Sequence, residues 1–168
     1  SASQNVTIHL INVNEAPLVP TNQSLSIPEN SQGNTVLGAI SASDPDTIPP
    51  FNGLTYSLSS NPNSAFVINP QNGQVSVGNS AALNFEASNT IILGVTVTDG
   101  SNLATTVNVT VHITDVDESP VIPFGQSFNI AENSSVGAVV GTVVATDVDT
   151  SAPFNLETFS ITSNPGNL

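Results

Sequence analysis

All thirteen charged side chains of this 168-residue chain are carboxylates, and most stand in tight groups such as Asp44-Pro45-Asp46, Asp115-Val116-Asp117-Glu118 and Asp147-Val148-Asp149. Alternate residues of an extended segment project to the same side, so each Asp-x-Asp pair turns two oxygen-bearing groups toward one point. With no Lys or Arg anywhere to neutralise them, such groups repel one another unless a cation sits among them. Irregular clusters of hard oxygens suit calcium, which takes six to eight such ligands in flexible geometry, better than magnesium, which demands a near-ideal octahedron. An isolated acidic loop is usually only solvated. The metal reading rests on recurrence of these clusters at fixed spacing.

Other chemistries fit poorly. A serine nucleophile needs a base and an orienting acid, yet the two histidines, His9 and His112, fall on outward strand positions away from the acidic groups, where a plain surface role is favoured over zinc binding. Glycosidases need two opposed carboxylates flanking a sugar, and phosphoryl transfer uses cationic side chains this chain lacks. No enzyme activity is expected. A net charge of −13 excludes nucleic acid and anionic membranes as electrostatic partners. The apolar stretch Val136 to Ala145, broken by Gly137 and Gly141, is about half the length a membrane span requires. Absent cysteine leaves disulfides no role. Asn5, Asn22, Asn108 and Asn133 each open an Asn-x-Ser/Thr triplet, a match that chance explains in so Asn-, Ser- and Thr-rich a chain.

The acidic groups recur because the chain repeats itself. Shifted by 103 residues without gaps, 28 of 65 overlapping positions are identical, among them Glu29-Asn30-Ser31 with Glu132-Asn133-Ser134 and Pro50-Phe51-Asn52 with Pro153-Phe154-Asn155. A period of this length fits a whole domain. The expected division is the last strand of one repeat in 1–14, a complete repeat in 15–117 and the first half of another in 118–168. Strands are expected at Ser24 to Ile27, Thr35 to Ala42, Leu54 to Ser59, Ala65 to Ile68, Gln74 to Val77, Ile91 to Thr98 and Val107 to Ile113, the last alternating Val107, Val109, Val111 and Ile113 with polar residues at the period of a half-buried strand. Asn72-Gly73 before Gln74 is a hairpin signal. Seven short strands with frequent turns and no helix longer than a turn predict an all-β, seven-stranded Greek-key sandwich of immunoglobulin-like type, in tandem.

Five ordered motifs then carry a resemblance. Ile27-Pro28-Glu29-Asn30, Ala42-Ser43-Asp44-Pro45-Asp46, Leu83-Asn84-Phe85-Glu86, Val97-Thr98-Asp99-Gly100 and Thr114-Asp115-Val116-Asp117-Glu118-Ser119-Pro120 resemble a cadherin repeat in the family's order. The Glu-Ala-Pro and Glu-Ser-Pro linkers look like those of cadherin-like repeats in large bacterial surface proteins. The resemblance implies calcium at each junction between repeats, about three ions per junction. For the junction near residue 117 it implies Glu29, Glu86, Asp115, Asp117, Asp147, Asp149 and Asn155 as ligands. For that near residue 14 it implies Asn12, Asn14, Asp44, Asp46, Asn52 and Asp99. Glu15 and Glu118 are secondary candidates, as is Asn84, which stands where the family usually has aspartate. Val13 and Val116 can offer only a backbone carbonyl. Asn12 and Asn14 replace the acids found at Asp115 and Asp117, so weaker calcium binding is expected at the first junction.

These expectations give two functional readings. One is a calcium-stiffened rod, part of an extracellular or cell-surface adhesin or filament, whose partners are adjacent repeats of the same chain and, through edge strands, further copies in lateral or filament assembly. The other is a module binding neutral polysaccharide or a partner protein within a larger surface protein or enzyme. The first is favoured, because one Tyr, seven Phe and no Trp leave few aromatic platforms for sugars.

Overall fold

A computed structural model describes residues 3–163, which divide into two compact units, Ser1–Asp115 and Val116–Leu168. The first unit is the expected all-β sandwich. Its strands are β1 (Ser24–Pro28), β2 (Val36–Ala39), β3 (Thr55–Ser60), β4 (Phe66–Ile68), β5 (Gln74–Val77), β6 (Thr90–Thr98) and β7 (Ala104–Thr114). One sheet has the order β1-β7-β6-β3 and the other β2-β5-β4. Among the described residues the helical structure amounts to two three-residue 3-10 segments, Pro62–Ser64 and Ser80–Ala82.

Burial follows the period of two. In β6, Ile91, Leu93, Val95 and Val97 face inward, and the last three are completely buried. Val109, Val111 and Ile113 of β7 join them, with Ile27, Tyr56, Phe66, Val75 and Val77 from the other strands. Fully burying a side chain of this size contributes about 1.5–3 kcal/mol, so this one apolar layer fixes which face of each strand points in. The Ser and Thr residues between them face water, and Thr96 and Thr106 share a hydroxyl hydrogen bond of 2.8 Å across the sheet.

Two boundaries, the end of β2 and the start of β7, differ from expectation by more than one residue. β2 ends at Ala39, after a register slip against β5 between Val36 and Gly38. Beyond it a side chain takes over the pairing: the Ser41 amide donates to Gln23 Oε1 at 2.8 Å, and Gln23 Nε2 donates to the Ser41 carbonyl at 3.1 Å. β7 is longer than its apolar stretch, since pairing with β6 continues to Thr98 opposite Ala104. The Asn72-Gly73 signal does mark a hairpin. Gly73 has φ +69, and a Cβ there would lie 2.9 Å from the Tyr56 ring, so glycine is required both for conformation and for space.

Pairing places the acidic groups at two ends of the sandwich. β1 runs parallel to β7, so the residues following both strands, Glu29 and Asp115, emerge together. β6 runs antiparallel to β7, so their connecting turn, which carries Asp99, lies at the opposite end. At about 3.4 Å per residue, β6 separates the two ends by about 27 Å.

Residues 3–14 carry no strand and are exposed apart from half-buried Asn14. In the second unit the described residues form an isolated bridge between Val121 and Thr146, at the repeat distance from the Leu18 to Ser43 bridge of the first. Gln126 bonds Val144 as Gln23 bonds Ser41, with a 2.8 Å bond from the Val144 amide. Val121, Phe124, Val136, Val139 and Ile161 remain exposed.

Candidate metal centre

At one end of the sandwich three carboxylates converge. Glu29, Glu86 and Asp115 each bring an oxygen within 4.8 Å of the other two. Glu29 is held there by backbone bonding at both sides: its amide donates to the Thr114 carbonyl at 2.9 Å, and its Oε2 accepts from the Phe85 amide at 2.9 Å. It is only 2% exposed. Glu86 follows the 3-10 segment Ser80–Ala82, and its Oε2 is buried with no hydrogen-bond partner. Asn84, beside it, is exposed and uses its Oδ1 to accept the Ala87 amide at 2.6 Å, which spends that oxygen on the local turn.

At the other end Asp44, Asp46 and Asp99 meet the incoming chain. Asp46 accepts from Asn12 Nδ2 at 2.5 Å and from the Glu15 amide at 3.0 Å. Asp99 accepts from Asn14 Nδ2 at 2.7 Å and from the amides of Ser101 and Leu103 at 2.7 and 3.0 Å. Asp44 Oδ1 accepts the Asp46 amide at 2.9 Å, whereas its Oδ2 is buried and without a donor, as is Asn14 Oδ1. Removal from water works to raise the Asp99 pKa, but the bonds from Asn14, Ser101, Leu103 and Asn102 outweigh it and hold the carboxyl below its ordinary value. Gly100 makes this end compact. A Cβ there would stand 2.1 Å from the Pro50 carbonyl oxygen, so only glycine lets the turn holding Asn52 lie against the turn holding Asp99. Asn52 itself and the Glu15 side chain are exposed.

The second unit repeats part of this arrangement. Asp149 Oδ2 accepts the Glu118 amide at 3.1 Å and Asp147 Oδ1 accepts the Asp149 amide at 3.0 Å, matching Glu15, Asp46 and Asp44 at an offset of 103. A Glu118 oxygen lies within 4.8 Å of an Asp149 oxygen. Asp149 Oδ1 and Asn155 Oδ1 are buried without a donor, while Asp117 is exposed.

Buried oxygens are nearly always paired, and each one left unsatisfied costs about 1–3 kcal/mol or more if charged. Here Glu86 Oε2, Asp44 Oδ2, Asn14 Oδ1, Asp149 Oδ1 and Asn155 Oδ1 all lack a partner, in a chain with no cationic Lys or Arg to supply one. All are hard oxygen donors, and a divalent cation is the group whose chemistry they fit. Sequence reasoning missed the backbone amides of Glu15, Phe85 and Glu118 that orient the acids, and Thr105, whose hydroxyl donates to the Pro17 carbonyl at 2.6 Å and anchors the incoming segment. The identity of Glu15 with Glu118 and of Pro17 with Pro120 was the available signal.

Comparison with known proteins agrees with this architecture. Over 158 residues the chain is 35% identical to human cadherin-related family member 2, covering 89% of this chain and 12% of that protein. It is likewise 35% identical to mouse protocadherin Fat 4, covering 90% of this chain and 3% of that protein. The chain therefore spans a small part of these relatives. Human protocadherin-24 EC1-2 superposes with a TM-score of 0.70 at 27% identity, covering 82% of this chain and 64% of that one. Mouse cadherin-23 EC22-24 gives 0.63 at 29%, covering 81% and 44%. Like these cadherin relatives, the chain is an extracellular or cell-surface segment of adhesion type. Among the described residues no helix is long and apolar enough to cross a membrane. Cadherin domains bind calcium and form a non-enzymatic adhesion family. The family model for the cadherin domain matches residues 23–114, more than half of the chain, and with the strand order and the acid-bearing ends already described, this chain belongs to the cadherin family.

Proposed function

We propose that the chain is a calcium-binding, tandem-repeat segment of an extracellular adhesin or surface filament, in which ions at the junctions between repeats stiffen a rod. The supporting observation is the set of buried oxygens without donors, Glu86 Oε2, Asp44 Oδ2, Asn14 Oδ1, Asp149 Oδ1 and Asn155 Oδ1, in a chain with no Lys or Arg. The repeats are 15–117, with 1–14 ending a preceding one and 118–168 beginning the next. Hydrogen bonds recurring at an offset of 103, from Glu15 to Asp46 and from Glu118 to Asp149, support that division.

Glu29, Glu86, Asp115, Asp117, Asp147, Asp149 and Asn155 would hold calcium at one junction, and Asn12, Asn14, Asp44, Asp46, Asn52 and Asp99 at the other, with Glu15 and Glu118 oriented by their neighbours. Calcium supplies the positive charge and the many-oxygen coordination that these groups otherwise lack. The chain's own residues do the rest: β1 and β7 deliver Glu29 and Asp115 together, and Gly100 and Thr105 hold the opposite end closed. Extracellular calcium modules work at about 0.1 to 1 mM, so the rod is stiff outside a cell and slack where calcium is scarce. Adjacent repeats are the first partners, with lateral assembly of copies a further one, and the chain carries no catalytic role. Binding of neutral polysaccharide is disfavoured by the burial of aromatics in the first unit, where Tyr56 and Phe66 are 8% and 2% exposed.

Small-angle scattering on a chain of two or three whole repeats, with and without chelator, tests the rod. The maximum dimension should change and the scattering should shift toward a flexible ensemble when calcium is removed. Identical profiles in the two conditions, or a calorimetric titration without heat, would remove the proposal.

A further inference from the structure

Asp46 and Asp149 occupy the same position of the repeat, and their surroundings agree at one oxygen and differ at the other. Oδ2 of each accepts a backbone amide, from Glu15 at 3.0 Å and from Glu118 at 3.1 Å. Oδ1 of Asp46 also has a donor, the side-chain amide of Asn12 at 2.5 Å. Oδ1 of Asp149 is buried and has none. One repeat on from Asn12 the chain has Asp115, and one repeat on from Asn14 it has Asp117. Neither aspartate side chain carries an N–H when ionised.

Asn14 acts as Asn12 does, donating to Asp99 at 2.7 Å. As a result every oxygen of the two most buried acids at this end, Asp46 at 5% and Asp99 at 4% exposure, accepts at least one hydrogen bond from the chain itself. Bonds from an amide to a carboxylate are charge-assisted and among the stronger kinds. They deliver partial positive charge to acids that no Lys or Arg can reach.

We propose that Asn12 and Asn14 form an amide latch that holds residues 12–15 against Asp46 and Asp99 in the absence of any metal. This end of the repeat then stays ordered when calcium is withdrawn, whereas Asp115 and Asp117, which cannot donate, leave their junction dependent on the ion. The latch itself needs no calcium, whereas its contrast with the second junction and its competition with the ion rest on the function proposed above. Loading this end requires the amides to turn and present their oxygens, so latch and cation compete, which lowers calcium affinity here. Replacing two aspartates by two asparagines within one repeat family thus changes the kind of joint, from ion-dependent to self-fastened.

The test is amide hydrogen exchange, read by NMR on the 168-residue chain in excess chelator. In the wild type the Glu15 amide, which donates to Asp46, should be protected. In Asn12→Ala/Asn14→Ala exchange there should accelerate about tenfold or more, with the amides of Leu93 and Val95 unchanged as the internal measure of an intact sandwich. Asn12→Asp/Asn14→Asp should loosen the same amide in chelator and restore its protection in millimolar calcium. If the alanine pair disturbs Leu93 and Val95, the single variants are read instead. Equal exchange of wild type and alanine variants at Glu15 in chelator overturns the latch. Loosening in chelator with no response of any variant to calcium keeps the latch and removes the calcium proposal.

Discussion

Replacing Glu86 by glutamine should stabilise the first unit without calcium and weaken its response to calcium, an inversion of sign that few purely structural effects produce. Glu86, Glu29 and Asp115 bring oxygens within 4.8 Å of one another, and glutamine keeps the side chain's volume while removing its charge. Each like-charge pair at that distance costs about 0.9 kcal/mol in bulk water and about 3.5 kcal/mol at an effective dielectric constant of about 20. Glu86 and Asp115 are half-exposed, so the lower part of that range applies, and two relieved pairs amount to about 2 kcal/mol. For a domain of about 100 residues, 1 kcal/mol corresponds to about 4–8 °C in Tm, so Glu86→Gln should melt about 10 °C above wild type in chelator. Sodium chloride at about 1 M shortens the screening length to about 3 Å and should shrink that gap. In calcium the order reverses, because the variant has lost an anionic ligand and its Tm rises less per decade of calcium. Circular dichroism melts across a calcium series read both halves. A variant no more stable than wild type in chelator would show that repulsion among these carboxylates does not limit stability, and a Tm that climbs with calcium in parallel with wild type would show that Glu86 is not a ligand.

Three further outcomes follow from the packing and the hydrogen bonds. Gly100→Ala puts a Cβ 2.1 Å from the Pro50 carbonyl, so it should lower stability by about 1–3 kcal/mol and shift NMR resonances of Asn52 and Asp99 while those of Glu29 stay in place. Leu93→Ala, at a completely buried position, should cost about 2–5 kcal/mol in urea melts, whereas Ile92→Ala, at a side chain 44% exposed one residue away, should cost a small fraction of that. Asp99 has a folded pKa below its ordinary 3.8, so it contributes stability that is fully present above about pH 4 and is lost as pH falls through the lower folded value. The difference in Tm between wild type and Asp99→Asn in calcium-free buffer should accordingly be constant at neutral pH and vanish under strong acid.

Much of the fold was legible because apolar and polar residues alternate cleanly. Ile91, Leu93, Val95 and Val97 name their buried face by period alone, and Asn72-Gly73 marks its hairpin because the turn needs a positive φ. What escaped was pairing done by side chains. Gln23 completes the end of β2 through bonds to Ser41, and nothing in its local sequence separates it from a solvated glutamine. The acids were legible as a group because they repeat, but their individual surroundings were not: Asn84 spends its oxygen on a turn, and Asn52 is exposed.

The all-β character, the purely carboxylate charge and the recurrence of acids every 103 residues are written in the order of residues alone, since composition, alternation and repetition are properties of order along one dimension. Which oxygens are left without donors depends on folding. Glu29, Glu86 and Asp115 are far apart in the chain and meet because β1 lies parallel to β7. Asn12 and Asn14 read as ligands in sequence, yet their amides face Asp46 and Asp99 as donors. An asparagine carries both an acceptor and a donor, and which one is used depends on the groups that folding brings opposite it.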